Sequence, residues 1–161
     1  MYHIYKHQIT NAQGATVGFI KPIPFTKLQL LGNVASLIST QLLLPRSYAS
    51  YDATGNEVSR TVAPANFWSS KRTLIVQDTL LPITSEVDTL GRVTHHFMLQ
   101  GVNCHIDSNY KEEYHLYIGE QCVVQFKKAS RGLDVTCYTE DETLLLLFAS
   151  LHFTIYQGGI Q

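Results

Sequence analysis

The residues of this 161-residue chain that could do chemistry are seven histidines, three cysteines and two short basic runs. His95 and His96 are adjacent, so on a strand they face opposite sides and do not easily share a metal. A hairpin turning near Asn109 to Lys111 would pair His105 with His115 across two strands, about 5 Å apart at Cβ. Two imidazoles fall short of the three protein ligands of a catalytic zinc, and both stand on polar strand faces. The expectation is solvent-facing pairing, with no metal and no cofactor. Cys104 is the one thiol beside a histidine, but neighbours on a strand point apart, so His105 cannot serve as its base. Cys104, Cys122 and Cys137 all fall on apolar strand faces and read as buried structural thiols. Neither a Gly-x-Ser-x-Gly elbow nor a phosphate-cradling glycine loop occurs. Glu112-Glu113 reads as a solvated turn, and Glu140-Asp141-Glu142 as part of a helix cap. No catalytic constellation survives, and the chain reads as a non-enzyme.

The basic runs remain. Lys127, Lys128 and Arg131 surround one predicted turn, and Lys71 with Arg72 precedes another strand. A few cations at a sheet rim can hold a lipid headgroup or another anion, each worth about 1 kcal/mol near a membrane surface. The competing account is that such lysines keep strand edges from pairing with other chains. Phe67 and Trp68 suit either insertion at an interface or plugging the end of a barrel.

Composition limits these choices. Hydrophobic residues make up 45% and charged residues 16%, the latter below the usual quarter, which argues against disorder. A net charge of −1 leaves no overall basic field for nucleic acid. Three widely spaced cysteines without a C-x-x-C exclude a zinc ribbon and a disulfide scaffold. The first eight residues contain no apolar core of a signal peptide, so a reducing cytoplasmic setting is expected. Residues 144–156 are nearly all apolar, but about 13 residues span only roughly 20 Å as a helix, against a bilayer core of about 30 Å. A buried core helix is expected there, and no transmembrane span.

The elements that position these groups are mostly strands. Tyr51-Asp52-Ala53-Thr54-Gly55-Asn56-Glu57-Val58 reads as a hairpin in which Asp bonds its own backbone and Gly takes the left-handed position. Similar units occur at Thr10-Asn11-Ala12-Gln13-Gly14-Ala15 and at Val87-Asp88-Thr89-Leu90-Gly91-Arg92-Val93. From Val102 to Tyr138 apolar and polar residues alternate in period two, in runs whose connections are too short for crossover helices, so the strands are antiparallel. Cys122, Val124 and Phe126 are expected on one face there, with Val123 and Gln125 on the other. Two stretches break the rhythm. Leu28, Leu31, Ala35, Ile38 and Leu42 form one face of a helix over about 26–42, between Pro24 and Pro45. Thr139-Glu140-Asp141-Glu142 reads as a capping box opening a helix over about 140–157, which is apolar all round and stopped by Gly158 and Gly159. A helix without a polar face must be enclosed, and with at least ten strands available the economical enclosure is a closed β-barrel.

The aromatic-Asp-x-x-Gly hairpin at 51–58, together with Leu133-Asp134-Val135-Thr136-Cys137-Tyr138 followed by the acid-capped apolar run 144–156, resembles the tubby C-terminal-like superfamily. That superfamily includes the LURP-one-related proteins and the phospholipid scramblases. The resemblance is strongest over 48–58 and 93–156, and the short first hairpin and inserted helix look like small bacterial members. It implies one domain over 1–161: an all-β, antiparallel closed barrel of about twelve strands around a buried C-terminal helix, with the amphipathic helix inserted after the first hairpin. The basic positions with which tubby proteins bind phosphoinositides have no match here, and the Cys-rich stretch of scramblases is absent, so the resemblance implies the fold more than an activity. The expected function is a non-enzymatic cytoplasmic binding protein, peripheral to the membrane, with Lys71, Arg72, Lys127, Lys128 and Arg131 as its anion- or lipid-binding residues. The alternative is a protein-interaction module whose partner docks on the 26–42 helix.

Overall fold

The computed structural model of the chain describes residues 1–27, 29–31, 33–34, 45–64, 71–109 and 112–156. Twelve strands run β1 (Tyr2–Tyr5), β2 (Gln8–Asn11), β3 (Thr16–Pro22), β4 (Tyr48–Asp52), β5 (Glu57–Val62) and β6 (Arg72–Val76), then β7 (Thr79–Val87), β8 (Val93–Leu99), β9 (Val102–Ser108), β10 (Glu113–Ile118), β11 (Gln121–Lys128) and β12 (Leu133–Cys137). Each pairs antiparallel with its neighbours in sequence, and β1 closes the sheet on β12 through Tyr2↔Val135, His3↔Asp134 and Ile4↔Leu133. Closure pairs each of these strands on both sides, so among the described residues no sheet edge is left for another chain.

Short-range chemistry makes the hairpins. Asp52 Oδ1 accepts from the backbone N–H groups of Thr54 and Asn56, both at 2.9 Å. Asn11 does the same for Gln13 and Ala15, and Asp88 for Leu90 and Arg92. Intervening hairpins turn on two residues, Lys6-His7, Gln77-Asp78 and Gln100-Gly101, both with positive φ in each case. That geometry matches the right-handed twist of the flanking strands.

The C-terminal helix (Glu142–Ile155) runs through the barrel, with Leu145 to Thr154 all buried. The side toward β4 and β5 is small and hydroxylic. Ser59 Oγ donates to the Leu147 carbonyl at 2.8 Å, and Ser150 Oγ lies 2.9 Å from Ser59 Oγ and 3.0 Å from Thr61 Oγ1. Ser59, Thr61 and Ser150 therefore each have a partner. A Cβ on Gly18 would lie 2.5 Å from Leu146 Cδ2 and from the Tyr51 carbonyl, so only glycine fits beneath the helix there. The other side is filled by large rings. Phe97 lies 5.9 Å from Phe148 between ring centroids, and Phe126 stacks on His152 at 4.3 Å. Fully burying side chains of this kind contributes about 1.5–3 kcal/mol apiece.

Three expectations about local structure need correction. The C-terminal helix is not opened by a box on Thr139. Asp141 is the N-cap, accepting from Thr143 N–H at 2.9 Å, so the helix begins at Glu142 and keeps one acid in its first turn. The reciprocal box occurs instead at Thr26, whose N–H donates to Gln29 Oε1 at 2.9 Å while its hydroxyl accepts from Gln29 N–H at 3.3 Å. Lys27, Gln29, Leu30, Leu31, Asn33 and Val34 behind it are helical, and the rest of the expected 26–42 helix lies outside the described residues, as do Phe67, Trp68, Gly158 and Gly159. Cys122 is on the outer face, not the inner one. A β-bulge places Leu116 opposite Val124 but Tyr117 opposite Cys122, so the extra residue Val123 turns inward beside Val124 and the alternation flips. Finally, His105 pairs with Tyr117 and His115 with Asp107, because the hairpin is centred one residue further along than expected, which shifts the pairing by two.

Candidate anion-binding end of the barrel

In an up-and-down barrel, alternate connections share an end. The connections β1–β2, β3–β4, β5–β6, β7–β8, β9–β10 and β11–β12 therefore lie at the end where the C-terminal helix finishes, and the others at the end where it starts. The charges divide along the same axis. Lys6, Lys27, Arg46, Lys71, Arg72, Arg92, Lys127, Lys128 and Arg131 all stand on connections or strand termini of the first end, Lys21 is one residue from it on β3, and Arg60 is partway along β5. The acids of that end are Glu86, Asp88, Asp107, Glu112, Glu113 and Asp134, which its cations outnumber. The opposite end carries Asp52, Glu57, Asp78, Glu120, Glu140, Asp141 and Glu142, with no lysine or arginine on its connections among the described residues. A net charge of −1 thus conceals a basic end and an acidic end.

The five expected anion-binding residues all lie at the basic end, but on different sides of it, since β7 to β10 separate β6 from β11. Lys127 Nζ lies 3.1 Å from Glu113, Lys128 Nζ lies 2.8 Å from Glu112, and Arg131 is exposed at the turn. Lys71 is exposed, whereas Arg72 turns partly inward. Sequence reasoning passed over Arg92, His95 and Tyr156, which join Arg72 around a cavity of about 550 Å³ at this end, together with Ser85, Ser108 and Ile155. Their common signal was in the sequence: the parity of the connections places the first turns of β6 and β8, the end of β9 and the helix C-terminus together.

The electrostatics of the cavity follow from burial. Arg72 Nε is buried and has no hydrogen-bond partner, and desolvation lowers the pKa of its guanidinium. His95 is 5% exposed, and its Nδ1 lies 2.8 Å from Ser85 Oγ. Burial, then the charges of Arg72 and His96, bring its pKa down to about 4, so the ring is neutral near pH 7. Burial pushes the Tyr156 phenol far up, so it stays protonated and a donor.

The remaining histidines sit elsewhere. On the outer face His105 stacks on Tyr117 at 4.5 Å, His96 Nε2 lies 3.6 Å from Glu86, and His115 Nδ1 lies 3.5 Å from Asp107. Among the described residues no group of three His, Cys, Asp or Glu side chains is placed to hold a metal ion. Desolvation raises the pKa of all three thiols, that of Cys137 to about 11, the opposite of what an activated nucleophile needs. Exposed aliphatic side chains stand at both ends: Leu30, Leu31 and Val34 on the inserted helix and Val87 and Leu90 at the β7–β8 turn of the basic end, and Leu80, Met98 and Val102 at the other. No helix is long and apolar enough to cross a membrane among the described residues. The chain matches no family model, no curated protein and no solved structure.

Proposed function

We propose that this protein is a non-enzymatic, tubby-like binding protein that meets an anionic membrane surface with the basic end of its barrel. The observation that carries the reading is the segregation of charge along the barrel axis, with exposed Leu30, Leu31, Val34 and Leu90 among the cations. Cations near an anionic leaflet contribute about 1 kcal/mol each, and aliphatic side chains add burial in the headgroup region. The acidic end is repelled by the same surface, so the field of the molecule also orients it. Raised thiol pKa values support the non-enzymatic part. The twelve-stranded barrel and its internal helix are the architecture that the tubby resemblance implies, and they support that part.

The test is co-sedimentation with vesicles of phosphatidylcholine alone and with added phosphatidylserine, at low and high salt. Binding should need phosphatidylserine and should fade as the Debye length falls from about 10 Å at 0.1 M to about 3 Å at 1 M. Absence of binding at low salt removes the reading. Leu30, Leu31 and Val34, at 50%, 69% and 59% exposure, favour one second reading, a protein partner seated on the inserted helix. Replacing all three by Ser abolishes partner capture in that case and only weakens vesicle binding in the first.

A further inference from the structure

We infer that the cavity at the basic end is a binding site for one oxyanion group, of the phosphate class, held by the Arg72 guanidinium and the Tyr156 hydroxyl. This inference rests on the cavity and not on the membrane reading.

One buried donor in the cavity, Arg72 Nε, has no acceptor, and a second, the Tyr156 hydroxyl, has only the Ser108 hydroxyl near it. Arg72 Nε and the Tyr156 hydroxyl oxygen are both buried without a protein hydrogen bond of normal geometry, and both residues line the same space of about 550 Å³. Buried polar groups are nearly always satisfied, and an unsatisfied one costs more when it is charged. A folded chain that keeps two such donors around one cavity is organised for an acceptor that enters from outside. The sign of the missing partner follows from the Arg72 guanidinium, since His95 is neutral near pH 7 and no carboxylate lines the space among the described residues, although Asp107 stands near enough to act on Tyr156. Arg92 is already committed to Asp88 at 2.6 Å, so it contributes field more than a contact. The C-terminus of the helix, at Ile155 and Tyr156, brings some negative charge to this end, which eases the burial of the guanidinium without giving Nε an acceptor.

The shape of the donor set favours phosphate. A guanidinium offers two parallel N–H groups to a tetrahedral oxyanion, and the phenol and the Ser108 hydroxyl supply further donors from other walls. Val93 and Ile155 also line the space, so the group can be carried on a small organic body. A phosphate of this kind can come from a free metabolite-sized ester or from a lipid head.

The experiment is a titration of wild-type protein with sodium phosphate, glycerol 3-phosphate and dihexanoyl phosphatidic acid below its micellar concentration, at constant ionic strength. It is read by the NMR signals of arginine Nε–Hε groups and by thermal melting. Saturable movement of the Arg72 Nε–Hε signal with at least one probe is expected. The Arg72→Gln variant should bind at least about tenfold more weakly. It should melt no lower than wild type in phosphate-free buffer, because it removes a partly buried charge whose Nε has no hydrogen-bond partner, and phosphate should no longer raise its melting temperature. Tyr156→Phe should weaken binding severalfold while keeping the fold. Response to dihexanoyl phosphatidic acid alone identifies a lipid head as the source, and response to all three probes identifies the free ester. An Arg72 signal unmoved by every probe overturns the inference, as does equal binding by Arg72→Gln. Should that variant fail to fold, the wild-type Nε–Hε signal and Tyr156→Phe still decide it.

Discussion

The two ends of the barrel are built from the same kind of hairpin, yet they differ in charge, in what fills them and in how tightly they are closed. At the acidic end two aspartates cap backbone N–H groups close to them in sequence. Asp52 accepts from Thr54 and Asn56, and Asp141 caps the helix. At the basic end the helix arrives with large rings, Phe153 lying 5.6 Å from Tyr48, and leaves a cavity in which Arg72 and Tyr156 have unmet donors. Each end keeps a buried polar atom without a partner, Thr139 Oγ1 at the acidic one, but at the basic end two of them, Arg72 Nε and the Tyr156 hydroxyl, face the same cavity. Self-capped turns occur at both ends, Asp52 at one and Asp88 at the other, so what separates the ends is the sign of their charge and the cavity beside Arg72.

The largest way to break the comparison is to remove the helix that both ends share. Leu146→Asp places a charge beside Gly18 in a site with no partner, and should cost at least several kcal/mol by denaturant unfolding. A variant with wild-type melting would show that the helix does not fill the barrel as described.

Acid comes next, and it should act on the basic end first. His95 and His152 have folded-state pKa values brought down to about 4 and about 3, below the ordinary 6.5. The unfolded chain therefore takes up protons first, so their neutral-state stability is whole above about pH 6.5 and is lost as pH falls toward 4. Each histidine should cost on the order of 1 kcal/mol per pH unit in that window. Asp52 at the other end has a lowered pKa, set first by its bond from Thr54, and loses its contribution only as pH falls through a value below 3.8. Unfolding free energy measured between pH 7 and 4 should drop, and His95→Gln should flatten the slope.

A charge exchange sharpens the comparison at smaller cost. Replacing Lys127, Lys128 and Arg131 together by Ser should weaken binding to phosphatidylserine vesicles about tenfold or more, at about 1 kcal/mol per cation. Replacing Asp52, Asp78 and Glu120 by their amides should leave binding unchanged or slightly stronger. A gain from the amides as large as the loss from the serines would mean that net charge, and not the basic end, drives association.

The smallest effect is confined to the acidic end. Asp141→Ala removes the N-cap and should cost about 1 kcal/mol in unfolding free energy, without altering phosphate or vesicle binding.

Much of this architecture is written in the chain. The hairpins at Asn11, Asp52 and Asp88 follow from an Asx side chain that reaches its own backbone, with Gly14, Gly55 and Gly91 all at positive φ. The run from Leu144 to Ile155 has no polar stripe, so enclosure of that helix was required before any fold was known. The turns at Lys6-His7 and Gln77-Asp78 were not legible, because no glycine or proline marks them and the twist of the paired strands imposes positive φ on ordinary residues. Nor was the outward turn of Cys122, which depends on a bulge that only the partner strand reveals. At the candidate site the sequence determined that Lys71, Arg72, Lys127, Lys128 and Arg131 were available cations. The tertiary structure decided that Arg72 turns into a cavity with His95 and Tyr156, whereas Lys127 and Lys128 meet Glu113 and Glu112. Local propensities fix turns and helices within a few residues, but which side chains lack a partner depends on residues up to 84 positions away (Arg72 to Tyr156) that closure of the barrel brings to one end.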